Sequence, residues 1–184
     1  LHLSSAASDV YKRQVWLVSG MSPFTFIKRI LQPLFTALLT SSSATTLPVS
    51  MIAAEKELGV DRAKASFILP LGATANMDGT ALFEGIAAIY LAYMFGIDLG
   101  STEIITVFLI SMLSSIGAPG MPSGSMAGMQ LVLLAVGIPL EAIALLLLIE
   151  RPLDTFRTAV NVEGDLAGCL VVEHFISGSQ KAAS

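Results

Sequence analysis

Asp154, Arg157, Thr158, Asn161 and Asp165 are the residues of this chain whose types and spacing can do chemistry. At about 100° per residue they fall within a helical arc of roughly 100°, so one face carries two carboxylates, a guanidinium, a hydroxyl and an amide. Leu145-Leu-Leu-Leu-Ile149 precedes this stripe and Leu166-Ala-Gly-Cys-Leu-Val-Val172 follows it. Each of the three ionisable groups costs about 2.5–3.5 kcal/mol near the centre of a membrane span. Groups that costly need partners, and a charged substrate and ions are the expected ones. The plainer alternative is an Arg157–Asp154 ion pair bracing the helix, which a three-residue spacing permits.

Composition agrees with a membrane setting. The 184 residues are 54% hydrophobic and only 13% charged, against about 25% charged in typical soluble domains. Mean hydropathy is +0.76. A net charge of -4 and the lack of a basic cluster give no sign of nucleic-acid binding. Cys169 is the single cysteine, so no internal disulfide and no cysteine metal motif is available. Residues 1–14 are polar and unlike the rest in texture; they read as a translated adapter sequence, and the native chain is expected to continue upstream. Residues 15–176 are read as one domain and 177–184 as a polar tail.

The elements that must position the stripe are interrupted ones. Residues 24–54 hold two apolar arms around the hydroxyl-rich Thr40-Ser-Ser-Ser-Ala-Thr-Thr46. Each arm is shorter than the about 20 residues that a span requires, so a hairpin that enters and returns is expected. Residues 62–96 are long enough to span but contain Gly72-Ala-Thr-Ala-Asn-Met-Asp-Gly79, a broken helix with unwound backbone. Such backbone is tolerated at membrane depth only under cover of protein or beside a polar cavity. Residues 101–137 form a second hairpin with the tip Ser114-Ser-Ile-Gly-Ala-Pro-Gly-Met-Pro-Ser-Gly-Ser125, and residues 139–173 form the striped helix. The spacing of Gly124 and Gly128 fits helix packing, but in that hairpin the pair reads rather as flexibility. Lys28, Arg29, Lys56, Arg62 and Lys64 flank the first hairpin, whereas the 96–103 and 137–141 connections carry no Lys or Arg. The positive-inside bias puts the first hairpin's base in the cytoplasm and the second's outside, with the tips approaching from opposite faces.

Helix ends at those tips offer dipoles to ions: N-terminal ends favour a carboxylate, C-terminal ends and free carbonyls favour a cation. Ser42, Ser43 and the amides of the second tip suit a substrate carboxylate. The carbonyls of Gly72, Thr74 and Asn76 suit a hard cation, with charge from Asp78 and Asp165. No G-x-S-x-G elbow occurs, and neither His2 nor His174 is placed to activate a tip serine, so an intramembrane hydrolase is not expected.

The segments TSSSATTLPVSM (40–51), PLGATANMDGTALFEG (70–85), SSIGAPGMPSGS (114–125) and DTFRTAVNVEGD (154–165) resemble, in order and spacing, the dicarboxylate/amino acid:cation symporters. That family includes prokaryotic glutamate and aspartate transporters and the excitatory amino acid transporters of animals. The resemblance runs from about Val15 to Glu173, and interrupted segments in matching halves point to a binding site, a rule for which a relative is one type example. It implies an all-α membrane protein, with a transport domain of two re-entrant helical hairpins and two transmembrane helices, the first broken.

The resemblance further implies roles. Arg157 would pair with the acidic side chain of the substrate, Asp154 with its amino group, and Thr158 and Asn161 with its backbone carboxylate. Ser43, Thr80 and the segment from Met121 to Gly124 would complete the pocket. One Na⁺ would use backbone oxygens of Gly72, Asn76 and Asn161 with the Asp165 carboxylate. A second would use carbonyls of Thr74, Ser115, Ile116 and Ala118, and a third Asn76 and Asp78 with groups encoded upstream. The implied activity is Na⁺-coupled symport of L-glutamate or L-aspartate by alternating access, with H⁺ as the alternative coupling ion and no other cofactor. The implied setting is a multi-pass homotrimer in lipid, in a bacterial inner membrane, assembled through an upstream scaffold. A C4-dicarboxylate or neutral amino acid carrier, or a non-transporting membrane fragment, are the alternatives; Asp154 argues against the first and Arg157 against the second. Ser41 and Thr155 stand where relatives place arginines, Glu150 replaces an aspartate, and Pro119 and Ser123 alter the second tip.

Overall fold

Nine α-helices make up most of the computed structural model, which describes residues 2–183 and the side chains of 6–177. Most of the tail expected from residue 177 therefore lies outside the described side chains. Residues 2–14 lie within α1 (His2–Ser19), which packs along the last helix. The first hairpin descends through α2 (Pro23–Arg29) and α3 (Leu31–Thr40) and returns as α4 (Ser43–Lys56). The hinge at Ile30 between α2 and α3 follows from Pro33, which has no N–H to give to the carbonyl of Arg29.

The broken helix is α5 (Arg62–Ala75) and α6 (Asp78–Met94), parted at Asn76 and Met77, whose ψ angles of 72° and 50° leave the helical region. The second hairpin is α7 (Ser101–Ile116) and α8 (Ser125–Ala135). A 3-10 turn at Leu140–Ala142 leads into α9 (Ile143–Ala183), which carries the stripe. Each hairpin turns through a serine in the left-handed region, Ser41 at φ 50° and Ser123 at φ 60°. A side chain there costs about 1–2 kcal/mol, so both tips are strained by the same device.

Two apolar cores flank a polar layer. One gathers Phe26, Ile30, Ala54, Leu69, Val162, Leu166 and Cys169, where the bases of the first hairpin and α5 meet α9. The other gathers Leu91, Val107, Met129, Leu133, Ile138 and Leu146, where α6 and the second hairpin meet the start of α9. The outside is apolar as well: Phe24, Leu39, Phe67, Tyr93 and Leu148 are exposed. So much exposed apolar surface marks contact with lipid or further protein. Among the described residues, no helix is by itself long and apolar enough to cross a membrane. The hairpin arms are too short, the α5–α6 rod is interrupted, and Glu150, Arg151, Asp154 and Arg157 crowd the apolar start of α9.

Candidate functional site

α9 crosses both cores and the polar layer between them, so its stripe is buried where four other segments converge. Glu150, Asp154, Arg157, Thr158 and Asn161 are each at most 5% exposed. Arg157 Nη2 donates to Asp154 Oδ1 at 2.5 Å and to Glu150 Oε1 at 3.0 Å. Its Cζ lies 4.5 Å from the ring centre of Phe83 on α6, a cation–π contact. Two carboxylates therefore face one guanidinium, and Arg157 Nη1 remains buried without a partner. The bracing ion pair exists, yet it leaves the guanidinium fork half used.

The second tip is fastened to the same carboxylates. The Ser123 amide donates to Asp154 Oδ2 at 2.9 Å and the Ser123 hydroxyl to Glu150 Oε2 at 2.8 Å. Glu150 and Ser123, departures from the family pattern, are thus partners of each other. The first tip meets the second at one carbonyl: Gly120 O accepts from Ser42 Oγ at 2.7 Å and from the Ala44 amide at 3.1 Å. A Cβ on Gly120 would lie 2.9 Å from Ala73 O, so only glycine lets the second tip wedge between the first tip and the end of α5.

Of the nine expected substrate contacts, Ser43, Thr80, Met121, Gly124, Asp154, Arg157, Thr158 and Asn161 line one cavity. Ser42 does not. As N-cap of α4, its hydroxyl accepts from the Thr45 amide while donating to Gly120 O, so it joins the tips instead. The cavity measures about 10 Å³, room for about one water. The tips are closed on it, and an amino acid enters only if one moves. Larger cavities of about 320 and 450 Å³ lie against α6, but they are lined almost wholly by apolar side chains.

The expected ion ligands fall into three groups. Asn76 Nδ2 donates to Asp165 Oδ1 at 3.1 Å, and a Cβ on Gly72 would stand 2.6 Å from that oxygen, so Gly72, Asn76 and Asp165 meet. Asn161 lies one turn before Asp165 and clasps the break from the other side, with Oδ1 accepting from the Gly79 amide at 2.9 Å and Nδ2 donating to Thr80 Oγ1 at 3.3 Å. In effect α9 caps the first turn of α6. Thr74 is exposed on α5, and its hydroxyl donates to Leu71 O at 3.0 Å. Ser115 and Ala118 are buried near the second tip, with the Ala118 amide on Ser115 O, whereas Ile116 is exposed. Asp78 is exposed and accepts from Tyr11 Oη at 2.5 Å. The donor set is oxygen throughout, which suits a hard cation.

Four residues of the site were not singled out in the sequence: Met77, Gly120 and Ser125 in the cavity wall, and Glu84 behind it. Glu84 is fully buried on α6, accepts from the Ser114 hydroxyl, and would stand 2.3 Å from a Cβ on Gly128. Gly128 therefore serves close packing rather than hairpin flexibility. The signal for Glu84 was the one that exposed the stripe, a carboxylate alone in an apolar helix.

Comparison with known proteins agrees with this arrangement. The model of the sodium:dicarboxylate symporter family matches residues 10–175. Excitatory amino acid transporter 2 of Homo sapiens is 47% identical over 159 residues, 86% of this chain and 28% of that protein. An excitatory amino acid transporter of Caenorhabditis elegans is 44% identical over 160 residues, 87% of this chain and 32% of its own length. Excitatory amino acid transporter 4 of Rattus norvegicus is 45% identical over 174 residues, 95% of this chain and 30% of its own length. The chain thus spans less than a third of each of these relatives. Its family assignment rests on nearly its whole length, and this chain belongs to the sodium:dicarboxylate symporter family.

Proposed function

We propose that this chain forms the substrate- and ion-binding part of a secondary active transporter that carries an acidic amino acid, L-aspartate or L-glutamate, across a membrane with Na⁺. The observation that carries this reading is Arg157, buried beside two carboxylates with one amino group unpartnered at a cavity closed by two hairpin tips. A guanidinium fork matches a carboxylate and keeps its charge when buried. The side-chain carboxylate of the substrate completes Arg157, its ammonium meets Asp154, and its backbone carboxylate meets Thr158 and Asn161.

Na⁺ binds where Asp165, Asn76, Asn161 and the Gly72 carbonyl meet, with further cations at Thr74, Ser115, Ile116 and Ala118 and at Asp78. Coupling is a free energy shared between these sites and the pocket. Asn161 supports that reading, since its amide ties the α6 end of the break to the stripe. A cation that orders the break favours the closed second tip, and the closed domain then moves against a scaffold encoded upstream. The four-part division of residues 15–176, a homotrimer around that scaffold and a bacterial inner membrane belong to the same proposal.

One contact favours a second reading. Glu150 and Asp154 already face Arg157, and a guanidinium so neutralised admits a neutral amino acid. The test is uptake of labelled L-aspartate by the full-length transporter in liposomes, with and without an inward Na⁺ gradient and with neutral amino acids as competitors. Na⁺-dependent aspartate uptake is expected. Uptake indifferent to Na⁺ removes the coupling, and competition by neutral amino acids alone replaces the substrate class.

A further inference from the structure

Two residues that line the closed cavity each carry a buried polar atom without a partner: Arg157 on α9 its Nη1, and Ser125 in the first turn of α8 its Oγ. Both side chains are nine-tenths or more buried, at 3% exposure each. A buried hydroxyl or guanidinium nitrogen left unpaired loses about 1–3 kcal/mol, more when charged. Folded chains rarely retain two such groups around one small space unless something that binds there pairs them.

Their chemistry defines that something. Arg157 Nη1 is purely a donor, and Ser125 can also donate, so a group with two acceptor oxygens satisfies both. Several donors nearby are engaged: Arg157 Nη2 by Asp154 and Glu150, the Ser123 amide by Asp154, and the Asn161 amide by Thr80. Ser125 differs from Gly120 and Gly124, which line the cavity without a side chain. A Cβ on Gly124 would stand 2.2 Å from Pro119 O, so the tip is folded too tightly there for any other residue. Ser125 is the next residue, and it lines the cavity.

We propose that Ser125 is a substrate-binding residue whose hydroxyl, together with Arg157 Nη1, takes the side-chain carboxylate of the acidic substrate. This rests on the acidic-amino-acid reading of the pocket. It gives the second hairpin a side-chain hold on the substrate, so closure of that tip senses the substrate's acidic end directly. Ser125 is then a specificity residue: a substrate without an acceptor at that end leaves its hydroxyl buried and unpaired.

The test uses the full-length transporter in liposomes, with Ser125→Ala and Ser125→Gly compared against the wild type. Both variants lack the hydroxyl and differ in packing. The KM for L-aspartate is expected to rise about tenfold or more in both, as loss of a hydrogen bond to a charged group implies. Binding read as the aspartate-induced shift in Tm of detergent-solubilised protein should weaken in parallel, which keeps the test open if a variant transports poorly. An unchanged KM and Tm shift in both variants, with robust wild-type uptake, overturns the Ser125 assignment alone. A rise in one variant only marks packing and also overturns it. Wild-type protein that neither transports nor binds acidic amino acids removes the substrate reading together with this inference.

Discussion

Gly72 on α5 faces Asp165 on α9 so closely that a Cβ at Gly72 would lie 2.6 Å from the Asp165 carboxylate oxygen. The absence of a side chain at residue 72 lets a buried carboxylate approach the backbone of the broken helix. If that gap is a Na⁺ site, Gly72→Ala presses a methyl group into it. Overpacking of this kind costs about 1–3 kcal/mol, so the apparent Na⁺ affinity for aspartate uptake should fall about tenfold. Titration of uptake against Na⁺ in liposomes reads this, and an unchanged Na⁺ dependence would remove the pair from the ion site.

Arg157 and Glu150 make opposite predictions. Arg157→Cys leaves two buried carboxylates without their cation, a loss of about 3–5 kcal/mol for a broken buried pair, and acidic-substrate uptake should vanish. Uptake of neutral amino acids by that variant would show that charge alone set the selection. Glu150→Gln instead removes a competitor for Arg157 Nη2, so the KM for aspartate should drop several-fold. A wild-type KM in Glu150→Gln refutes the competition.

Ser42→Ala tests the separation of tip closure from substrate contact. The variant loses the α4 cap and one of two hydrogen bonds to Gly120 O, together about 1–2 kcal/mol. Amide hydrogen exchange at 43–46 should quicken while the KM for aspartate changes little. A large rise in KM with unaltered exchange would return Ser42 to the substrate contacts.

Glu173, beyond the apolar run that ends at Val172, gives a pH dependence. The Ser177 hydroxyl, the Lys64 ammonium at 2.9 Å and the Asp61 amide at 3.0 Å hold its carboxyl down to about 2. A carboxylate with a depressed folded pKa stabilises the fold fully above its unfolded value of about 4.3 and loses that contribution as pH falls through the folded value. Wild type should therefore exceed Glu173→Gln in Tm at pH 7, with the gap shrinking below about pH 4. A gap that stays constant down to pH 2.5 contradicts the linkage.

Much of the fold was legible because interrupted helices announce themselves. The serine run at 41–43, Gly72 to Gly79 and the Gly/Pro tip at 117–124 all disrupt apolar periodicity, and helix ends fall on or beside them, whereas the break at Ile30 lies inside a run that reads as one helix. Glu84 is less conspicuous than the stripe, although a single buried carboxylate in α6 is as costly as any in α9. A glycine spacing does not say what lies opposite, and at Gly128 only the fold reveals that it is Glu84.

Sequence alone determined that α9 would carry a charged stripe, because residue spacing fixes a helical face without reference to any partner. It also determined that the hairpins would turn and the rod would break, because backbone chemistry at glycine, proline and serine is local. Tertiary structure decided how the stripe is used: Glu150 and Asp154 share one nitrogen of Arg157 and leave the other free, Ser42 joins the tips, and Ser125 stands unpartnered in the cavity wall. Ser42 reaches Gly120 across 78 residues of chain, and Ser123 reaches Glu150 across 27. Only the packing of the two hairpins against α9 sets those distances.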